Sequence, residues 1–249
     1  MESVLEIKNL NKSFGSNHVL RNFSLTLYKG ENIVVLGRSG SGKSVMIKCA
    51  VGLMKYDSGS IKVLGQEIKD LNAVELDALR VKMGFVFQSS ALYDSMTVGE
   101  NLEFPLRRNR PDLRKSEMDD IIKETLDNVG LYYAINLLPS ELSGGMKKRV
   151  GLARALVLKP EIVFYDEPTT GLDPFTSSEI SKLMLEMQNK YNTSSITISH
   201  DMYCARITGN RLVALIDGTN YAEGTFEELQ NSEDEKIKTF FTHGLGKRK

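Results

Sequence analysis

One stretch of eight residues limits what this chain can fold into. Residues 37–44 read GRSGSGKS and fit the spacing GxxxxGK[S/T] of a phosphate-binding loop (P-loop). An apolar run, residues 33–36, precedes the stretch, and a mostly apolar run, residues 45–50, follows it. Glycines let a backbone close around a phosphate, and the N–H groups at the start of a following helix point at the anion. The sequence therefore predicts a strand, a glycine-rich loop and a helix that bind a nucleotide phosphate.

Two side chains of this loop have separate tasks. Lys43 would reach the β- and γ-phosphates, and the hydroxyl of Ser44 would bind Mg²⁺. The pattern alone arises by chance in about one in a hundred sequences of this length. The flanking strand and helix therefore favour the phosphate interpretation over a plain glycine-rich turn. The predicted nucleotide-binding residues of this region are Gly37, Arg38, Ser39, Gly40, Ser41, Gly42, Lys43, Ser44 and Val45.

The composition places the chain among globular proteins and excludes some functions. Of its 249 residues, 41% are hydrophobic and 26% are charged, which provides enough apolar material for a large core. The formal net charge is zero, which argues against a nucleic-acid partner held by bulk charge. Cys49 and Cys204 lie far apart without metal-binding spacing, and we expect both to be buried, reduced thiols.

We expect any membrane role to depend on a partner protein. No run of apolar residues approaches the ~20 that a membrane-spanning helix needs. Residues 1–6 also lack the basic segment and long apolar stretch of a signal peptide. The expectation is a protein that is soluble by itself.

Short apolar runs before and after the middle third of the sequence predict β-strands. Residues 4–10 alternate between apolar and polar side chains, as a half-buried strand does. Later strand-like runs are separated by a helical pattern at residues 176–191, and this alternation predicts a mostly parallel sheet covered by helices. These later runs are residues 162–165, 195–198 and 212–216.

A helical segment interrupts this pattern. From Ser89 to about Ala155, apolar residues recur at helical spacing, as Val98, Leu102 and Leu106 do. The tail from Glu223 is predicted to be a charged helix, and its basic end, residues 244–249, a disordered terminus. The predicted division of residues 1–249 is a core of residues 1–88 and 156–225, a helical subdomain of residues 89–155, and a C-terminal charged helix and tail of residues 226–249.

Two adjacent carboxylates follow the apolar run that begins at Ile162. Asp166 and Glu167 stand at the end of this predicted buried strand. In a P-loop protein the first carboxylate holds the Mg²⁺ shell, as a Walker B aspartate does. The second is then placed to orient and deprotonate an attacking water, which is the task of a general base. An ordinary boundary between strand and loop is the alternative, and the P-loop disfavours it.

A second glycine-rich stretch lies at residues 142–149, which read LSGGMKKR. Its serine and glycines precede a predicted helix, residues 150–158, and form another concavity of phosphate size. A single nucleotide does not need two such loops from one chain. In a symmetric head-to-tail dimer, however, each loop would cover the γ-phosphate held by the other subunit.

This second stretch resembles the LSGGQ signature of the ATP-binding cassette (ABC) superfamily. The resemblance extends from residue 4 to about residue 225, and further motifs of that superfamily follow in the expected order. They are an aromatic residue that stacks on adenine, the Q-loop glutamine, the D-loop and the switch histidine. In this sequence the matching residues are Phe14, Gln88, residues 171–174 with Asp173, and His200.

The resemblance implies a fold, a reaction and two ligands. The fold is a P-loop NTPase core of the ABC type, with a mostly parallel sheet, an N-terminal antiparallel β part and an inserted helical subdomain. The reaction is ATP hydrolysis with Mg²⁺, catalysed by Glu167, His200 and Gln88. Implied Mg²⁺ ligands are Ser44, Gln88 and Asp166, and the further residues that bind ATP are Phe14, Ser143, Gly144, Gly145 and Asp173.

Met146 indicates a particular branch of the superfamily. It replaces the glutamine of LSGGQ, and the string LSGGMxKRVxLARA resembles the ATPases of MCE-type (Mla-like) phospholipid transporters. Residues 87–98, 101–107 and 165–174 resemble the same branch. This resemblance implies an ATPase on the cytoplasmic face of the inner membrane. Its partners would be a second copy of itself, an integral membrane permease that docks on residues 88–106, and an MCE-domain lipid-binding protein.

Three other functions remain as alternatives. The first is the ATPase of an importer for amino acids or another small solute, which only the Met146 string and the Q-loop segment disfavour. The second is a soluble ABC ATPase that acts on ribosomes or DNA, which the single cassette and compact helical lobe disfavour. The third is a structural cassette without turnover, which the presence of Lys43, Asp166, Glu167 and His200 disfavours.

Overall fold

Two β-sheets and the helices packed around them form the part of the chain that the structure, a computed structural model, describes: residues 1–244, with side chains up to residue 242. Of the basic end predicted to be disordered, residues 244–249, Gly244 is the last residue of a helix, and residues 245–249 lie outside the described part. The strands are β1 (Ser3–Phe14), β2 (Asn17–Tyr28), β3 (Asn32–Leu36), β4 (Ser58–Val63), β5 (Gln66–Glu67), β6 (Met83–Val86), β7 (Ile162–Asp166), β8 (Ser194–Ile198), β9 (Arg211–Ile216) and β10 (Thr219–Gly224). The helices are α1 (Lys43–Ala50), α2 (Ala73–Val81), α3 (Val98–Asn109), α4 (Lys115–Asn128), α5 (Gly144–Leu156), α6 (Pro174–Tyr191), α7 (Met202–Thr208), α8 (Phe226–Gln230) and α9 (Glu235–Gly244).

The smaller sheet is antiparallel and the larger one is mostly parallel. The smaller has the strand order β2-β1-β4-β5, and the larger has the order β10-β9-β3-β8-β7-β6. In the larger sheet only β10 runs antiparallel to its neighbour. Strands β3 and β8 are buried along their whole length, as expected for parallel strands covered on both faces. The predicted mostly parallel sheet and antiparallel N-terminal β part are confirmed.

The order of the parallel strands decides where the functional side chains meet. Strands β3, β8 and β7 are direct neighbours, and their carboxyl ends lie at one edge of the sheet. The P-loop follows β3, Asp166 ends β7, and His200 follows β8. In open parallel sheets this edge is where ligands bind.

Helices α3, α4 and α5 pack on one another through a shared apolar cluster. Val98, Leu102 and Leu106 of α3 are buried together with Leu126 of α4 and Val150 of α5. Helix α3 starts at a capping box, in which Thr97 accepts from the N–H of Glu100 and the Glu100 carboxylate accepts from the N–H of Thr97. The helical pattern predicted for residues 89–155 is thus present as three helices.

Two predicted helices differ from the structure. The helix after the second glycine-rich stretch begins at Gly144, six residues before the predicted start, because the Ser143 hydroxyl caps the N–H of Met146 at 3.3 Å. The tail is not one charged helix from Glu223, since Glu223 belongs to β10 and two separate helices, α8 and α9, follow. Helix α9 buries Ile237 and Phe241 in an apolar cluster with residues of β3 and β9. The charged residues of the tail did not indicate this burial.

Within residues 1–244, none of the helices combines the length and the apolar composition that a membrane-spanning helix needs.

Candidate nucleotide-binding and hydrolysis site

The P-loop joins β3 to α1 through backbone that only glycine adopts easily. Gly42, the N-cap of α1, has φ +102°, and Gly40 has φ +78°. The Lys43 ammonium donates to the carbonyl oxygens of Gly37 and Arg38 at 2.7 and 3.0 Å, which leaves one of its three hydrogens for an anion. The hydroxyl of Ser41 is buried without a hydrogen-bond partner among the described residues. A buried polar atom of this kind needs a partner, and a phosphate oxygen would supply one.

Ser44 and Asp166 bring two oxygen donors together between α1 and β7. The Ser44 hydroxyl donates to Asp166 Oδ1 at 3.2 Å, although the residues are 122 positions apart. A hydroxyl and a carboxylate are hard oxygen ligands of the kind that Mg²⁺ takes alongside phosphate oxygens. The donor set of this pair therefore fits Mg²⁺.

Glu167 is held by three contacts at the end of β7. Its backbone is in the left-handed region, with φ +51°, and its N–H donates to the Ile198 carbonyl at 2.9 Å. Its Oε2 lies 2.7 Å from Nδ1 of His200 and accepts from the Thr170 hydroxyl at 3.2 Å. Strained backbone of this kind persists where surrounding contacts hold it, and it is common at active sites. The carboxylate is mostly buried, whereas His200 is mostly exposed.

Burial disfavours the charged forms of the groups that face a ligand here. Burial raises the pKa of Asp166, and the nearby Glu167 carboxylate raises it further, whereas the hydrogen bond from Ser44 lowers it. Burial also lowers the pKa of Lys43, against the attraction of Glu167 and Asp166. A bound cation next to Asp166 and a bound phosphate next to Lys43 would each restore the charged form. The electrostatics thus fit a phosphate with its metal ion.

A cavity of about 1170 Å³ opens beside the P-loop. Its walls are residues 36–39 at the end of β3 and the start of the P-loop, residues 169–172 before α6, and residues 199–203 around His200. Thr239 and Phe240 of α9 complete its rim. The volume lies just above the range of about 300–1,000 Å³ that is usual for small-molecule pockets, so the cavity is large enough for a nucleotide.

Three further predicted site residues, Phe14, Gln88 and Asp173, make no hydrogen bond to the P-loop in the described part of the chain. Phe14, at the end of β1, is half exposed, with the Lys12 ammonium 5.2 Å from its ring centroid. Among the described residues, the Gln88 side chain makes no hydrogen bond to Ser44 or Asp166, and its backbone carbonyl accepts from Lys148 instead. Asp173 caps α6 by accepting from the N–H groups of Phe175 and Thr176.

The second glycine-rich stretch faces the start of α6 and not the P-loop of its own chain. A Cβ on Gly144 would lie 3.6 Å from Leu172, and one on Gly145 would lie 2.8 Å from Thr176. Ser143, Gly144 and Gly145 do not line the cavity of about 1170 Å³, nor a second cavity of about 850 Å³ that borders residues 38–41 of the P-loop. The structure therefore places these three residues away from the phosphate-binding loop.

Three residues of the site region were not predicted from the sequence. Thr170 donates to Glu167, and no sequence pattern distinguishes it from the neighbouring Thr169. Lys148 and Arg154 of α5 donate to backbone carbonyls of residues 88–91. Lys148 did carry a signal, because it stands on the α5 face that also carries the buried Gly151 and Leu152, where a lysine needs a partner.

Comparison with known proteins gives one matching family. The ABC transporter family model matches residues 20–170. A methionine import ATP-binding protein, MetN of Clostridium tetani, is 38% identical over 96% of this chain and 80% of its own length. A probable ribonucleotide transport ATP-binding protein, mkl of Mycobacterium leprae, is 38% identical over 96% of this chain and 69% of its own length.

Solved structures agree with this match. The ATP-binding cassette MJ0796, in a dimeric post-hydrolysis state bound to ADP and Pi, aligns with a TM-score of 0.81 and 33% identity over 89% of this chain and 98% of its own. CbiO1 of Clostridium perfringens, part of the transporter complex cbiONQ, aligns with a TM-score of 0.84 and 28% identity over 92% of this chain and 91% of its own. The fold class predicted from the sequence is confirmed.

Proposed function

This chain belongs to the ABC transporter family as an ATP-binding subunit that hydrolyses ATP, and we propose that it powers MCE-type phospholipid transport across or between membranes. The observation that carries the lipid assignment is the string LSGGMKKRV at residues 142–150, with Met146 in place of glutamine. The Met146 side chain packs partly buried against the apolar cluster of α3, α4 and α5. Its presence there leaves the backbone N–H groups of Gly144 and Gly145 to serve as phosphate donors.

We propose that Glu167 is the general base for hydrolysis. It is mostly buried, and its Oε2 is fixed by His200 and Thr170. A carboxylate held in this way can orient a water molecule and take its proton. His200 would contact the γ-phosphate with its exposed ring, and Lys43 with the P-loop N–H groups would hold the phosphates.

Ser44 and Asp166 would hold Mg²⁺, which supplies charge neutralisation at the β- and γ-phosphates. Gln88 is proposed as a third ligand. Because its side chain makes no contact with Ser44 or Asp166 in the described residues, this role requires residue 88 to move on nucleotide binding.

The active unit is proposed to be a head-to-tail dimer. ABC cassettes such as MJ0796 form dimers, and here Ser143, Gly144 and Gly145 lie away from the P-loop of their own chain. In the dimer these residues would cover the γ-phosphate bound by the partner subunit, with Asp173 and Phe14 at the edges of the same site. Closure would draw its energy from the tighter binding of ATP to the closed state.

We propose that residues 88–106, within a helical subdomain of residues 89–155, dock on an integral membrane permease. Two aromatic side chains of this segment, Tyr93 and Phe104, are exposed, and their ring centroids lie 5.1 Å apart. Exposed aromatic clusters are typical of protein interfaces. The subunit would thus sit peripherally at the cytoplasmic face of the inner membrane, with an MCE-domain protein in the same complex.

A second candidate is the ATPase of an importer for amino acids or another small solute. The 38% identity with the methionine import protein MetN favours it. Both candidates use the same ATP site and the same dimer. They differ only in the substrate and in the proteins bound to the permease.

The test is to purify tagged, full-length Glu167→Gln with ATP and Mg²⁺ from detergent-solubilised native membranes. Glu167→Gln should trap the closed dimer, because water is no longer deprotonated. The matched control is Glu167→Gln with Lys43→Ala, which should lose nucleotide and hence the closed dimer. Mass spectrometry then identifies the co-purified proteins and lipids.

A permease together with an MCE-domain protein and phospholipid is the expected result. A permease with a solute-binding protein would support the importer instead. Purification without any membrane protein would refute both candidates.

A further inference from the structure

A buried lysine on α5 holds the backbone of the Q-loop. Lys148 is only 7% exposed, and its ammonium donates to the carbonyl oxygen of Gln88, 60 positions earlier in the chain. Lysine is almost never buried to this extent without a specific partner. Burial lowers the pKa of Lys148, and the negative charge of Glu167 opposes this shift. The Lys148 side chain therefore contacts the backbone at residue 88 instead of the solvent.

Arg154 makes the same kind of contact further along α5. Its guanidinium donates to the carbonyl oxygens of Ala91 and Ser90 at 2.8 and 3.1 Å. It also lies over the ring of Tyr93, 5.7 Å from the centroid. Two cations of one helix thus bind three carbonyl groups of residues 88–91. We call Lys148 and Arg154 the carbonyl clamp.

The clamped segment has an unusual backbone. Ser90 and Ala91 are consecutive left-handed residues without being glycine, with φ +62° and +46°. L-residues enter this region at an energetic cost, so the surrounding contacts must hold them there. Gly151 of α5 permits the close approach, since a Cβ at that position would lie 3.1 Å from the Cβ of Ser90. Contacts with α5 therefore help to hold the segment in this conformation.

Helix α5 connects two parts of the site. Its first turn carries Gly144 and Gly145 of the signature stretch, with Ser143 as the N-cap. Its later turns carry the carbonyl clamp. At 1.5 Å per residue its 13 residues span about 20 Å, which is a short, stiff rod.

We propose that the carbonyl clamp makes residues 88–91 move together with α5, so that closure of the signature stretch on a partner's ATP displaces the Q-loop directly. Lys148 and Arg154 are then positioning residues that act through Gln88 and through the permease-facing segment behind it. The inference rests on the proposed function, because it requires ATP-driven dimer closure. It deepens that function by assigning the connection between the two motifs to two side chains.

The test measures hydrogen exchange by mass spectrometry on the isolated full-length subunit in the Glu167→Gln background. We expect ATP with Mg²⁺ to slow the exchange of amides 88–93 by about tenfold. Adding Lys148→Met and Arg154→Met should abolish most of this slowing. Dimer formation with ATP, followed by size-exclusion chromatography, should persist, because the clamp contacts no residue of the P-loop.

Two further variants separate positioning from a general structural role. Lys182→Met removes a positive charge from an exposed position of α6 and should leave the ATP-dependent slowing intact. Lys148→Arg keeps a buried hydrogen-bond donor and should restore the ATP-dependent slowing of exchange. Where the double variant unfolds, the milder Arg154→Lys takes its place and should show a partial loss. In the protein that retains Glu167, Lys148→Met should lower kcat for ATP hydrolysis and leave KM for ATP unchanged.

Three outcomes would overturn the inference. They are ATP-dependent slowing that survives in the clamp variants, loss of the dimer together with the slowing, and absence of slowing in Glu167→Gln itself. These outcomes are distinct from a failure of the lipid assignment, which depends on the proteins that co-purify from membranes and not on exchange in the isolated subunit.

Discussion

Two glycines of the P-loop offer a direct test of how this loop is built. Gly40 and Gly42 both have positive φ, at +78° and +102°. They differ in their surroundings, because a Cβ on Gly40 would meet nothing within 4 Å. A Cβ on Gly42 would lie 3.0 Å from the side chain and carbonyl of Val19 and 3.1 Å from Leu20. Gly42→Ala should therefore destabilise the fold more than Gly40→Ala.

The magnitude follows from three contributions to the free energy of unfolding. Left-handed backbone costs an alanine about 1–2 kcal/mol at either position. The smaller entropy of the unfolded alanine chain offsets about 0.4–1 kcal/mol of this, again at either position. Crowding against β2 adds about 1–3 kcal/mol for Gly42 alone. The first two contributions cancel in the difference, so Gly42→Ala should lose about 1–3 kcal/mol more than Gly40→Ala.

The assay is urea unfolding followed by circular dichroism, with EDTA and without nucleotide, so that ligand binding does not contribute. In thermal unfolding the same difference should be about 2–12 °C, at roughly 2–4 °C per kcal/mol for a domain of this size. Gly15→Ala is the control away from the P-loop, because Gly15 has φ +59° and open surroundings. It should behave like Gly40→Ala. A loss for Gly40→Ala that equals or exceeds that of Gly42→Ala would refute the reasoning.

Three more predictions concern the core, the ligand and an ion pair. Tyr165→Phe should leave the free energy of unfolding in urea unchanged or raise it by about 1 kcal/mol, because the Tyr165 hydroxyl is buried without a partner in the described residues. Tyr191→Phe should lower it by about 1 kcal/mol, because it removes the hydrogen bond with Asn128, and an equal loss in both variants would contradict this prediction. ATP at 100 times its Kd should raise stability by about 2.7 kcal/mol in wild type and not in Lys43→Ala, and a preserved thermal shift in the variant would exclude the P-loop assignment. Arg211→Met should lower the free energy of unfolding by about 2–3 kcal/mol, a value between those of surface and buried ion pairs, because Arg211 binds both carboxylate oxygens of Glu31. A double-mutant cycle with Glu31→Gln that gives no coupling energy would disprove this prediction.

Much of the core was predictable because its signals are local. The strand before the P-loop, the loop's glycines and the carboxylates at the end of β7 each lie within a short segment whose spacing reflects one backbone geometry. Helix α3 likewise followed from Val98, Leu102 and Leu106, which are all buried on one face.

The C-terminal tail shows where local signals fail. Its charged residues predicted one charged helix, yet Ile237 and Phe241 are buried in the same apolar cluster as Leu212 and Ala214 of β9. The sheet provides this apolar surface, and it comes from residues more than twenty positions earlier in the chain. Amphipathic burial of so short a helix depends on its docking surface, which periodicity over one helix does not reveal.

The sequence by itself determined which chemical groups are available and the order in which the strands deliver them. Only the tertiary structure decided which groups meet: it paired Ser44 with Asp166 and His200 with Glu167 across 122 and 33 positions. It also placed Lys148 on the carbonyl of Gln88, a contact with no sequence motif. The physical reason is that hydrogen bonds act over about 3 Å in space, whatever the separation along the chain, and only the packed sheet and helices bring distant residues that close.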